Sequence, residues 1–289
     1  MVTVASAEED VSVGLVVKAK HEYYDKVIQR AQDACDEYGW DFTGMSPSSF
    51  DDIDGQVSMV EDMVTAGVDV LLVSPNQETT LYNAFDNAIA AGAILIAVDT
   101  DITGYEGKTA FCGTSNKDAL HYAAQLMFEE VGEGANIILI RGALGDANHE
   151  ARAAGATEGI EEYGMNLLGV KDCTTTAEGA AAAMEDFITM YQDDIDAVIC
   201  TDDDMAAGAI QALRQAGYED VPVSGYDGTS VGIENVAAGY EIFDLSQDPY
   251  NMGYLAVQTA HKVLNGEEYE ENIDTGVKVI TIDNVKDFQ

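Results

Sequence analysis

Short apolar runs alternate along this chain with longer stretches in which apolar residues return every three or four positions. The runs Val11–Val17, Asp69–Pro75, Ile94–Val98, Asn136–Arg141, Asp196–Thr201 and Val221–Tyr226 read as strands, nearly unbroken in Val, Ile and Leu as strands covered on both faces must be. The stretches from about Tyr24 to Tyr38, Ile53–Ala66, Thr79–Ala91, Asp118–Val131, Glu150–Tyr163, Glu178–Tyr191, Met205–Gln215 and Pro249 to about Asn265 read as helices. Gly39 and Gly67 stand where a left-handed cap is cheapest, Pro249 falls in a tolerated first turn, and Thr114, Ser115 and Asn116 offer capping side chains ahead of Asp118. Shorter strands are expected at Asp41–Met45, Thr109–Gly113, Leu167–Cys173, Phe243–Gln247 and Val277–Ile282. Strand and helix alternate throughout, which predicts a doubly wound α/β fold. In such sheets the helices cover both faces, so ligands bind at the carboxyl ends of the strands.

Two segments repeat this grammar with a carboxylate at the end. A strand from Asp69, a helix, an Ala-Gly stop and a second strand end on Asp99; a strand from Asp196, a helix, an Ala-Gly stop and a second strand end on Asp227. The two intervals differ by a single residue, which predicts two similar domains, each ending a strand on Asp at its ligand edge. A length of 289 residues with 47% apolar content supplies two cores of ordinary size.

Charge then narrows the partners. With 53 acidic against 13 basic residues the formal charge is −40, which repels nucleic acid and anionic membranes and implies no polynucleotide partner. Cys35, Cys112, Cys173 and Cys200 form no C-x-x-C pair, so no zinc knuckle or dithiol motif is expected, and packing accounts for Cys35 and Cys200. No apolar run reaches membrane-spanning length. The opening Met1–Asp10 reads as a linker or trimmed end, with no export signal in this chain.

The stretch Ala197–Ala209, the turn Gly225-Tyr226-Asp227-Gly228-Thr229 and the triplet Gln247-Asp248-Pro249 carry a resemblance to the ribose-binding type of periplasmic sugar-binding protein, in order and across nearly the whole chain from Val11 to about Asp283. The resemblance implies periplasmic binding protein type I architecture, two doubly wound Rossmann-like lobes joined by three crossovers. One lobe would be residues 1–114 with 248–276 and the other 115–247 with 277–289. It implies an extracytoplasmic solute receptor, in the periplasm or as a cell-surface lipoprotein, that closes on a sugar by hinge motion and serves the membrane subunits of an ABC importer as a monomer. Carried over by position, Tyr23 and Tyr24 would pack on the sugar's C–H face. Asp99 and Asp227 would accept hydroxyls, Arg152 would supply a guanidinium, Asp202 would stand where the family often has asparagine, Gln247 would stand at a crossover, and His21 would be near a polar contact.

Physical chemistry accords with that set. Each hydroxyl of a polyol is both donor and acceptor, so carboxylates paired with a planar guanidinium suit it, and dehydration on closure penalises any hydroxyl left unpaired. The chain departs from the family pattern at Thr100, where an arginine is usual, and at Thr174-Thr175-Thr176, where an aromatic is usual, so a hexose, an inositol-like polyol or an amino sugar is as compatible as ribose.

Other classes fit less well. His21-Glu22 and His149-Glu150 begin like a zinc helix motif, but Asp25 and Ala153 occupy the second ligand position. Gly225, Gly228 and Gly232 have the wrong spacing for a dinucleotide fingerprint, and Asp202-Asp203-Asp204 lacks the alternation of a calcium loop. No metal, cofactor or catalytic residue is therefore expected. The alternatives within the same architecture are a sugar-sensing domain that signals to a membrane receptor, or the effector-binding core of a sugar-responsive regulator without its DNA-binding headpiece.

Overall fold

The computed structural model describes residues 11–289; the Met1–Asp10 stretch read above as a linker lies outside the described residues. From its start to Gly113 the chain forms β1 (Ser12–Val16), α1 (Glu22–Tyr38), β2 (Asp41–Met45), α2 (Ile53–Ala66), β3 (Val70–Val73), α3 (Tyr82–Ala90), β4 (Ile94–Val98) and β5 (Ala110–Gly113). From Thr114 to Asp248 it forms α4 (Asn116–Val131), β6 (Asn136–Arg141), α5 (Ala147–Glu162), β7 (Asn166–Asp172), α6 (Ala177–Tyr191), β8 (Ala197–Cys200), α7 (Asp203–Ala216), β9 (Val223–Asp227), α8 (Ser230–Ala238) and β10 (Phe243–Ser246). It ends with α9 (Pro249–Leu264), β11 (Asn272–Asp274) and β12 (Lys278–Ile280). Contacts divide it into two units, residues 1–113 with 249–273 and residues 114–248 with 274–289, so the chain passes between them three times.

The units share one topology. The first sheet runs β2-β1-β3-β4-β5-β11 and the second β7-β6-β8-β9-β10-β12. The pairs β1·β2, β1·β3, β3·β4 and β4·β5 are parallel in the first, as are β6·β7, β6·β8, β8·β9 and β9·β10 in the second, while β12 joins β10 antiparallel. In each unit the strand order reverses between the first and third strands, where a crevice opens at the carboxyl end of an open α/β sheet.

Period-two burial explains why the strands read as unbroken apolar runs. Val13 and Leu15 pack with α1 and α9, whereas Val16 joins Leu71, Val73 and Leu95 against α2 and α3. In the second unit Ile137 and Leu139 face α4 and α5, and Ile138 and Ile140 face α6 and α7. Each such side chain, fully buried, contributes about 1.5–3 kcal/mol. Helices α4 and α5 approach so closely that a Cβ at Gly155 would run into the Lys117 carbonyl, so only glycine fits there.

Several boundaries differ from those read in the sequence, each for a local reason. The helix expected from Thr79 opens as a 3-10 turn, Glu78–Leu81, before α3 begins. Asn116 lies inside α4, and Ser115 stands at the N-cap position without a side-chain capping bond, its Oγ donating to Asp118 instead. The last passage falls after Ile273 instead of Gly276, as Asp274 accepts from the backbone N–H groups of Ser115 and Gly276. Helix α8 and strand β11 carry no clear signal in the sequence: α8 buries only Gly232 and Val236, and β11 has a single apolar residue and pairs by backbone with β5.

Candidate functional site

At the carboxyl edge of the first sheet, Asp99 follows β4 with φ 64°, a left-handed conformation that a non-glycine residue adopts at a cost. Its carboxylate is 1% exposed. It accepts from the Tyr23 hydroxyl at 3.0 Å, the Tyr24 hydroxyl at 3.1 Å, Ser74 Oγ at 3.0 Å and Thr100 Oγ1 at 2.8 Å. Those donors match the roughly four lone-pair positions of a carboxylate. Asp99 thereby organises both tyrosines, whose rings meet edge to face at 5.2 Å and belong to the unit's core. Thr100, one of the departures noted from the sequence, serves Asp99 directly. His21 is the N-cap of α1, its Nδ1 accepting the Tyr23 N–H at 3.2 Å, which places the ring proton of the neutral form on Nε2. The tyrosine pair is thus positioned by a cap below and a carboxylate above.

The equivalent edge of the second unit is built around Arg152 of α5, which is 4% exposed. Its Nε donates to Asn116 Oδ1 at 2.6 Å, one terminal nitrogen donates to the Thr201 carbonyl at 2.9 Å, and the other lies 3.3 Å from Asp227 Oδ1. The guanidinium stacks 4.2 Å above the Tyr226 ring, and the Tyr226 hydroxyl also donates to Asn116 Oδ1. A planar cation so held has its orientation fixed by four residues, Asn116, Thr201, Tyr226 and Asp227. Asp227 ends β9 at φ 120°, a second strained position at the spot equivalent to Asp99, and accepts Gln247 Nε2 at 2.6 Å. The third, Thr175, has φ 54° and takes the Ala143 N–H on its Oγ1 at 3.1 Å. Three of the four described non-glycine residues with positive φ thus follow or end strands at the carboxyl edges of the two sheets.

Asp202 resolves the ambiguity of its acidic triplet. It is the N-cap of α7, its Oδ1 accepting the Met205 N–H at 2.7 Å, while Asp203 turns inward to take the backbone and hydroxyl hydrogens of Thr229, each at 2.7 Å. Burial, and then the charge of Asp227, push the Asp202 carboxyl up to about 7. Beside it, His149 Nδ1 lies 2.9 Å from Thr201 Oγ1, a hydroxyl that already accepts the Gly142 N–H, and His149 Nε2 lies 4.0 Å from Asp202 Oδ2. Behind this edge Asp203, Glu241 and Asp244 are almost fully buried, and burial first, then mutual repulsion, raises all three well above the carboxylate range.

The structure therefore gathers Tyr23, Tyr24 and Asp99 at one edge, with His21 beneath them, and Arg152, Asp202, Asp227 and Gln247 at the other. Sequence reasoning missed Ser74, Asn116, His149, Thr201 and Tyr226. In the sequence Asn116 reads as a cap and His149 as half of a zinc motif, and only long-range contacts give them these places. Chemically each edge offers fixed acceptors and donors next to aromatic rings. Among the described residues no group of three or more His, Cys, Asp or Glu side chains is arranged to hold a metal ion.

A family model described as a periplasmic binding protein domain matches residues 13–268. Over 277 residues the chain is 26% identical to the ribose import binding protein RbsB of Escherichia coli (strain K12), spanning 96% of this chain and 92% of that protein. It is 27% identical over 242 residues to a xylitol-binding protein of Mycolicibacterium smegmatis, spanning 82% of this chain and 68% of that one. Among solved structures, an ABC transporter periplasmic solute binding protein from Actinobacillus succinogenes with bound D-allose superposes with a TM-score of 0.88 at 25% identity, covering 96% of this chain and 99% of that one.

Proposed function

The chain belongs to the periplasmic binding protein family, and from that premise we propose that it is an extracytoplasmic receptor for a monosaccharide or related polyol, which it delivers to the membrane subunits of an ABC importer. The observation that carries this reading is the Arg152 clamp. A buried guanidinium set against a carboxylate, an aromatic face and an amide oxygen at a sheet's carboxyl edge is built to orient neighbouring hydroxyls. Asp202, Asp227 and Gln247 supply acceptors beside it, and Tyr23 and Tyr24 supply aromatic surface from the other unit. His21 acts through the tyrosines it positions. Ligand binds best to a closed form in which both units engage it, and the population shifts toward that form as occupancy rises. The protein acts as a monomer, in the periplasm or tethered at the cell surface, and binds without chemical conversion.

Thermal unfolding against pentoses, hexoses, inositols, amino sugars and nucleosides tests the proposal. Ligand at about 100 times its Kd stabilises by roughly 2.7 kcal/mol. A shift with one carbohydrate, lost in both Asp227→Ala and Arg152→Ala, supports the reading. A shift that survives both substitutions places the ligand elsewhere and overturns the site.

A further inference from the structure

The ligand edge of the second unit carries two carboxylates beside a single guanidinium. Asp202 and Asp227 share it with one guanidinium, and Arg152 already serves Asn116, the Thr201 carbonyl and Asp227. Gln247, 5% exposed, donates one amide N–H to Asp227, and its Oε1 is buried without a hydrogen-bond partner. A buried acceptor left unmet costs about 1–3 kcal/mol, so it points to a donor arriving with the ligand. The chain's overall acidity does not account for this. Surface carboxylates are solvated, whereas Asp202 is 6% exposed and the Asp227 side chain 17%.

We propose that the sugar bound at this edge carries a protonated amine, seated against Asp202 and Asp227 with the Gln247 amide oxygen as a further acceptor. The proposal rests on the reading of the chain as a sugar receptor. An ammonium brings three donors and a positive charge to a place where two carboxylates face each other's field. Burial and Asp227 raise Asp202 to about 7, and an ammonium seated beside it would favour the ionised carboxylate, which a neutral sugar does not do. His149 on α5 and Arg152 are the cationic or titratable partners facing Asp202, while Asp203, Asp204 and Asp244 add like charge or neutral acid from α7 and β10.

Titration calorimetry with 2-, 3- and 6-amino hexoses, their parent hexoses and their N-acetyl forms decides the matter, run in 0.1 M and in 1 M KCl. We expect at least one amine to bind about tenfold or more tighter than its parent alcohol, N-acetylation to remove the gain, and the preference to persist at 1 M salt, since buried pairs are screened little. Asp202→Asn and Asp227→Asn should each shrink the amine-to-alcohol ratio. If a parent sugar binds as tightly as its amine, or the preference vanishes at high salt, the inference falls and the receptor reading stands. If no carbohydrate binds in the calorimeter or in the thermal panel, both fall together.

Discussion

Replacing Asp202 with Asn should stabilise the second unit, and do so more strongly as pH rises. The ordinary aspartate value is 3.8 and the folded one about 7. Between those values the folded chain holds a proton that the unfolded chain has released, so wild-type stability falls by about 1.4 kcal/mol per pH unit, about 4 kcal/mol in all, and levels off above pH 7. Asparagine has no proton to hold, relieves the repulsion with Asp227, and still caps α7 by accepting the Met205 N–H. Urea unfolding of wild type and variant from pH 5 to 8, followed by far-UV circular dichroism, should show a gap widening from about 1.5 kcal/mol at pH 5 to about 4 kcal/mol above pH 7. Trp40, the single tryptophan, lies in the first unit, so its fluorescence follows that unit separately. Parallel pH profiles, or a variant less stable than wild type at pH 7.5, would refute the reasoning, because Asp202 would then ionise in the folded protein without cost.

Other substitutions probe separate parts of the fold. Arg152→Lys keeps the charge but loses the planar fork on Asn116 and Thr201, so it should cost about 2–4 kcal/mol in urea unfolding and abolish the ligand-induced thermal shift. Gly155→Ala drives a methyl into the Lys117 carbonyl and should destabilise by about 1–3 kcal/mol in the same assay, with no change attributable to the ligand edge. Because the net charge is −40, raising KCl from 0.1 to 1 M cuts the screening length from about 10 Å to about 3 Å and should raise the melting temperature by about 5 °C or more; an equal effect from a neutral osmolyte would argue against charge repulsion.

The sequence by itself determined the alternation of strand and helix, since strands buried on both faces have to be continuous in Val, Ile and Leu, as β3 and β8 are. It also determined the equivalence of Asp99 and Asp227, because two modules of nearly equal length can place a carboxylate alike only if each ends the same strand. What it left undecided lies where local pattern is weak: α8 buries too little to show a helical period, and β11 exists through its pairing with β5. Tertiary structure alone decided what each polar residue does. Asn116, Arg152, Thr201 and Tyr226 are distant along the chain and meet only because α4, α5, β8 and β9 converge on one sheet edge. Likewise Asp99 reads as an open acceptor in sequence, yet folding brings it four hydroxyls, and Asp202, indistinguishable from Asp203 and Asp204 along the chain, acquires its raised carboxyl from burial beside Asp227. Hydrogen-bond partners and desolvation are properties of three-dimensional neighbours, and a linear pattern carries neither.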